Sequence, residues 1–168
     1  MKVISKQRNS KMCMICGLDN EYGVGAPFYN MEDGSVMTVF KYKEQHQSYP
    51  GRVHGGLITA MLDEMGLRAL WAKEKSEEQF GVTTTLETKY RKPVPYETKL
   101  LGRAEIVKDT SRYFVAEACI MDVHGTVLAN GTINYIKLDM NRINKDVEVG
   151  EEMVYVTDND LKEINFIP

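Results

Sequence analysis

The chain has 168 residues, 43% of them hydrophobic and 27% charged, and a formal net charge of −3. That length suits one domain with room for a real core, and an isoelectric point near 5.7 removes any global electrostatic case for binding nucleic acid. The longest apolar tract, residues 54–72, is broken by Asp63, Glu64 and Arg68, which argues against a membrane span. Residues 1–12 are polar and read as a flexible N-terminus. Met1 to Lys11 is basic but has no apolar run, so it does not read as a signal peptide. Three cysteines, an odd number without an export signal, point to a reducing cytoplasm rather than a disulfide framework. Cys13 to Pro27 is glycine-rich and irregular. Phe28 to Met31 and Ser35 to Tyr42 read as strands around Asp33-Gly34, a hairpin signal. Glu44 to Val53 is a loop containing Pro50-Gly51, and His54 to Lys75 is the one convincing helix.

Four strand-like runs follow, at 82–92, 98–108, 112–122 and 126–138. Pro93-Val94-Pro95, Lys108 to Ser111 and Val123-His124-Gly125 separate them. Such short connections imply antiparallel neighbours. Residues 139–168 are a charged C-terminal extension, in which Thr157 to Phe166 reads as a short helix capped by Thr157 or Asp158.

The helix has no clean polar face. At 100° per residue, Leu57, Met61, Leu62, Met65, Leu70 and Trp71 cover most of its circumference. A helix apolar all round is buried, so the sheet must curl around it. Phe114, Ala116, Ala118 and Ile120 fall on one strand face, and Val127, Ala129, Gly131, Ile133 and Tyr135 on another. The small residues leave room for a helix to lie close. The fold class is therefore α+β, with one long central helix wrapped by a curved antiparallel sheet of five to six strands: the hotdog architecture.

The densest chemistry lies in His54-Gly55-Gly56 followed, two and a half turns into the helix, by Asp63-Glu64. Backbone N–H groups at a helix start lack intrahelical partners and carry the positive end of the dipole. Without Cβ atoms at Gly55 and Gly56, a ligand oxygen can approach them. A carboxylate on so apolar a helix has a high desolvation cost, and catalysis is one reason to keep it there. The structural alternative is a solvated or salt-bridged Asp63, with Arg68 as a candidate partner. Glu64, 100° around the helix, reads as structural.

The run from His46 to Gly56, with Asp63 nine residues after His54, resembles the PaaI-like branch of the hotdog thioesterases. Cys13-Met14-Ile15-Cys16-Gly17 with Asn20 and Gly23, the strand Thr83 to Tyr90 with Arg91 to Pro95, and the order of one helix then four strands agree with it. The resemblance covers residues 13–138, the expected thioesterase domain. It implies hydrolysis of an acyl-CoA to a free acid and coenzyme A, with no cofactor and no metal.

By the same resemblance Asp63 is the nucleophile or general base, and the Gly55 N–H polarises the thioester carbonyl. Thr83 reaches the site from a neighbouring subunit and holds the water, with Thr84 as the alternative. His54, Gly56, Gln47, Ser48, Glu64 and Arg91 are the further substrate-binding candidates. Ser48 stands where several members carry an asparagine, and the adjacent Gln47 could supply an equivalent amide. Lys89, Arg91 and Lys92 are either contacts for coenzyme A phosphates or an ordinary exposed face. Cys13 and Cys16 are at most half a zinc site and otherwise packed thiols. The expected partners are acyl-CoA and a second copy of the chain, as a homodimer or a dimer of dimers, with neither nucleic acid nor membrane. Two other functions are a non-catalytic acyl-CoA-binding protein and a hotdog dehydratase or hydratase.

Overall fold

The computed structural model describes residues 1–75, 77, 79–138, 153–154 and 161–166. Strands β1 (Val3–Lys6), β2 (Asn9–Ser10), β3 (Tyr29–Met31), β4 (Val36–Phe40), β5 (Gln47–Tyr49) and β6 (Arg52–Val53) precede helix α1 (Gly55–Glu74). Strands β7 (Phe80–Tyr90), β8 (Leu100–Asp109), β9 (Tyr113–Met121), β10 (Val127–Leu138) and β11 (Met153–Val154) follow it. One sheet of seven strands runs in the order β1-β3-β4-β8-β9-β10-β7, and every neighbouring pair is antiparallel. The architecture is the hotdog fold expected from sequence, with a slightly larger sheet. The additional strand is β1: residues assigned to a loose N-terminus pair instead with β3.

Helix α1 starts and stops where local chemistry dictates. His54 is the N-cap, and its Nδ1 accepts the Gly56 N–H at 3.0 Å. Lys75 ends the helix in the left-handed region, with φ of 53°. Ile58, Met61, Leu62, Met65, Ala69, Leu70, Trp71 and Ala72 are buried. They pack on a sheet face built from Ala104, Ala116, Ala118, Ile120, Ala129 and Ile133. Two close approaches require glycine. A Cβ at Gly102 would lie 2.4 Å from the Met65 sulfur, and one at Gly66 would lie 2.2 Å from the Tyr135 hydroxyl.

The inward face of β10 departs from simple alternation at one point. The register shifts between Val127 and Ala129, so Leu128 is buried while Val127, expected on the inner face, is exposed. On the opposite side of the sheet, Tyr29, Met31, Met37, Leu101 and Met121 form a second apolar cluster with Ile164. That docking ties the C-terminal segment to the N-terminus, where Lys2 and Glu163 form an antiparallel bridge. Thr157 and Asp158, the proposed caps of a terminal helix, lie outside the described residues, and residues 161–166 are not helical. No described helix is long and apolar enough to cross a membrane.

Candidate active site

Asp63 sits on α1 facing β7 and β10. Its carboxylate oxygen Oδ1 accepts two hydrogen bonds, from the Thr83 hydroxyl at 2.7 Å and from the Tyr135 hydroxyl at 3.2 Å. The single Tyr135 hydroxyl proton is shared with the Asp63 backbone carbonyl, which lies nearer, at 2.6 Å. Burial, and then the neighbouring Asp63 charge, push the Tyr135 phenol well above its usual range. The phenol therefore stays protonated and acts as a donor. Tyr135 is held by stacking on Phe114, with ring centroids 4.5 Å apart. One oxygen of Asp63 is thus held by two hydroxyls, and among the described residues nothing donates to Oδ2.

Thr83 reaches Asp63 from its own chain, which corrects the expectation that a neighbouring subunit supplies it. β7 follows α1 after a short connection and returns along it, so the contact is intrachain. Thr84 points to the other side, where its hydroxyl donates to the Asn134 carbonyl at 3.0 Å. Glu64, not Asp63, pairs with Arg68, at 2.9 Å, so the salt-bridged reading of Asp63 fails.

The helix start is a separate locus. Gly55 and Asp63 are eight residues apart, about 12 Å along the axis and 80° around it. The Gly56 N–H is spent on His54, whereas nothing among the described residues accepts the Gly55 N–H. Tyr90 covers Gly55: its hydroxyl donates to the Gly55 carbonyl at 3.1 Å and lies 2.7 Å from the Thr59 hydroxyl. A cleft of about 370 Å³ opens here, lined by Arg52, Gly55, Ile58, Tyr90, Arg91 and Lys92. Arg91 is oriented by its Nε–H bond to Asn130 at 2.9 Å. Gln47 and Ser48 lie exposed on the β5–β6 hairpin that leads into His54. The structure thus joins Asp63 to Thr83, and Gly55 to Arg91, but does not bring the two groups together within one chain.

A third cluster lies behind Asp63. The sulfurs of Cys13 and Cys16 and a Glu64 carboxylate oxygen fall within 4.8 Å of one another, a spacing that suits a small cation. Arg68, however, is buried against them. Its guanidinium bonds Glu64, donates to the Arg8 carbonyl, and lies over the Phe28 and Trp71 rings at 4.7 and 4.6 Å. This fixed positive charge opposes a second cation there.

Tyr135 was not among the residues singled out from sequence as functional. It lies 72 positions from Asp63. Its one sequence trace is Gly66, a helix-interior glycine whose missing Cβ leaves space for the phenol.

Residues 50–129 match the family model of the thioesterase superfamily. A Sulfurisphaera tokodaii protein named "Putative esterase" is 32% identical over 111 residues, which cover 64% of this chain and 78% of that protein. The chain belongs to the thioesterase superfamily. It is also similar to the acyl-coenzyme A thioesterase THEM4 of Mus musculus, at 29% identity over 125 residues covering 73% of this chain. The chain spans about half the length of that relative, 50%. Among solved structures, the thioesterase superfamily protein RHA08564 superposes with a TM-score of 0.68 at 23% identity, covering 74% of this chain and 63% of that one. A hypothetical thioesterase from Streptococcus pneumoniae, solved with coenzyme A, has a TM-score of 0.60 at 20% identity, covering 68% and 89%. These two likenesses support the hotdog fold. The family match includes Gly55, Asp63 and Thr83 and stops short of Tyr135.

Proposed function

We propose that this chain hydrolyses acyl-CoA thioesters, with Asp63 as nucleophile or general base. The observation that carries the reading is the Asp63 carboxylate, one oxygen fixed by Thr83 and Tyr135 and the other without a hydrogen-bond donor among the described residues. As general base, Oδ2 takes a proton from water as the water attacks the thioester carbonyl. The tetrahedral intermediate then expels the coenzyme A sulfur, which takes up that proton. A backbone N–H aimed at the oxyanion stabilises it, typically by ~3 kcal/mol, and the unpartnered Gly55 N–H suits that role.

One chain cannot bring both parts to one carbonyl, because about 12 Å of helix separates them. We therefore place the working site between two copies, with Asp63 and Thr83 from one and the partner subunit's Gly55 from the other. The sheet edge supports this pairing. β7 is a terminal strand of eleven residues, and Val82 and Tyr90 on it are 44% and 56% exposed. An edge of that length and composition invites a second strand, and a twofold pair is the commonest closure. Arg52, Arg91 and Lys92 around the Gly55 cleft would meet coenzyme A phosphates. The name of THEM4 and the coenzyme A in the pneumococcal structure support the substrate class. The three free cysteines suit a cytoplasmic setting.

A dehydratase would need a histidine beside the carboxylate. His54 is turned toward Gly56, and no histidine among the described residues bonds Asp63. A panel of short, medium, long and aryl acyl-CoAs, read by released thiol, tests the reading. Turnover of at least one substrate class is expected, and binding without thiol release across the panel would leave the non-catalytic alternative.

A further inference from the structure

The segment Cys13-Met14-Ile15-Cys16-Gly17 is a tight turn closed by the Gly17 N–H donating to the Cys13 carbonyl at 2.9 Å. Only glycine fits its last position, since a Cβ there would lie 2.3 Å from the Cys13 carbonyl oxygen. Inside the turn, the Cys13 sulfur accepts the backbone N–H of Ile15 at 3.3 Å and of Cys16 at 3.5 Å. The Cys16 sulfur is buried, 3.3 Å from the Ser10 hydroxyl. Cys13 is only half-buried, and its neighbours Met12 and Met14 are exposed. The two sulfurs lie within 4.8 Å of each other, and Cys13 is the more exposed of the two residues.

The charges around the pair are asymmetric. Three groups face Cys13: the Cys16 thiol, the Glu64 carboxylate, which accepts from the Cys13 thiol at 3.8 Å, and beyond it Arg68. The adjacent Cys16 thiol is the largest influence. With the two backbone N–H bonds it outweighs burial and the Glu64 charge, and lowers Cys13 to about 6. Cys16 moves the other way, because of the adjacent Cys13 sulfur and because the site is buried. The Glu64 charge that would oppose a thiolate is met by the Arg68 guanidinium. Cys119 is a contrast: it has no cysteine neighbour, and burial raises it.

We propose that Cys13 and Cys16 form a redox-active dithiol oxidised by hydroperoxides, with Cys13 as the attacking sulfur and Cys16 as the resolving thiol. The Cys13 thiolate attacks one oxygen of hydrogen peroxide, the O–O bond breaks, and the products are a Cys13 sulfenic acid and hydroxide. Cys16 then gives its proton to that hydroxide, and its sulfur attacks the Cys13 sulfur. The S–O bond breaks, and the second hydroxide leaves and is protonated to water. In sum, two thiols and one peroxide give one disulfide and two waters. This assignment stands apart from the thioesterase reading, because it uses neither Asp63 nor the helix start.

The test uses the full-length protein with its three free cysteines. Hydrogen peroxide should remove two hydrogens from the intact mass, leave one titratable thiol, and be reversed by dithiothreitol. Peptide mapping should place the bond between Cys13 and Cys16. In Cys16→Ser the same treatment should leave a Cys13 sulfenic acid that dimedone traps, and in Cys13→Ser neither product should form. Alkylation of unmodified protein by iodoacetamide, followed by mass spectrometry, needs no variant. Its rate at Cys13 should rise through a midpoint near 6, well below the ordinary thiol value. Three thiols unchanged by peroxide, or Cys13 alkylation rising only at the ordinary thiol midpoint, overturn the proposal. So does protein purified with one tightly bound zinc that shields both cysteines.

Discussion

Removing a single hydroxyl, by Tyr135→Phe, isolates the clamp on Asp63. The ring would keep its stacking on Phe114, so packing changes little. One proton is lost, and with it a hydrogen bond shared between the Asp63 backbone carbonyl at 2.6 Å and Oδ1 at 3.2 Å. Bonds to a charged group contribute about 1.5–3 kcal/mol. The lower end applies here, because the bond is long and the 2.7 Å Thr83 bond remains. If that 1.5 kcal/mol is expressed in the transition state, kcat falls about tenfold. KM should move less than about threefold, since the clamp orients the carboxylate and not the acyl group. Loss of that shared bond should also lower stability by about 1 kcal/mol. Steady-state thiol release and urea unfolding measure the two effects. Wild-type kcat in Tyr135→Phe, or a raised KM with kcat unchanged, would refute a positioning role for the hydroxyl.

Three further outcomes follow from the same geometry. Gly66→Ala places a Cβ 2.2 Å from the Tyr135 hydroxyl. Overpacking of about 1–3 kcal/mol is then partly offset by about 1 kcal/mol of helix propensity, so kcat should fall more clearly than the denaturation midpoint. Arg68→Met strands Glu64 and should cost about 3 kcal/mol, the low end for a broken buried pair because Glu64 keeps some solvent. Adding Glu64→Gln should restore part of that loss, and strict additivity in denaturant unfolding would count against coupling. Mixing Asp63→Asn with Thr83→Ala protein should give no rescue, because the two side chains bond each other within one chain. Activity above the mean of the two parents after subunit exchange would show that Thr83 works across the interface.

Much of this was legible in the sequence because it rests on local patterns. The helix spans 55–74 against an expected 54–75, and the four strands that follow it fall within about two residues of the expected runs. Those boundaries are set by Gly, Pro and capping residues close in sequence. The Asp63–Thr83 pairing was expected across a subunit interface, and it forms within one chain because the helix and its next strand fold back on each other. Three features escaped, each for a nonlocal reason. β1 has no strong strand signal and becomes a strand because β3 offers it an edge. Arg68 reads as a polar break in an apolar tract, yet it is buried at 1% exposure by two aromatic faces and Glu64. Its partners Phe28 and Arg8 lie far away in the chain. Tyr135 reads as one inward residue of an alternating strand, and only the register of β10 beneath α1 shows that its hydroxyl meets Asp63.

The central claim is that the Asp63 carboxylate performs the chemistry. Asp63→Asn keeps the size and most hydrogen bonds of the side chain and removes its basicity. Measured against the acyl-CoA that the wild type turns over fastest, kcat should fall by roughly 10²–10⁴-fold while KM stays within a few-fold. Undiminished turnover of that substrate by Asp63→Asn would contradict the account.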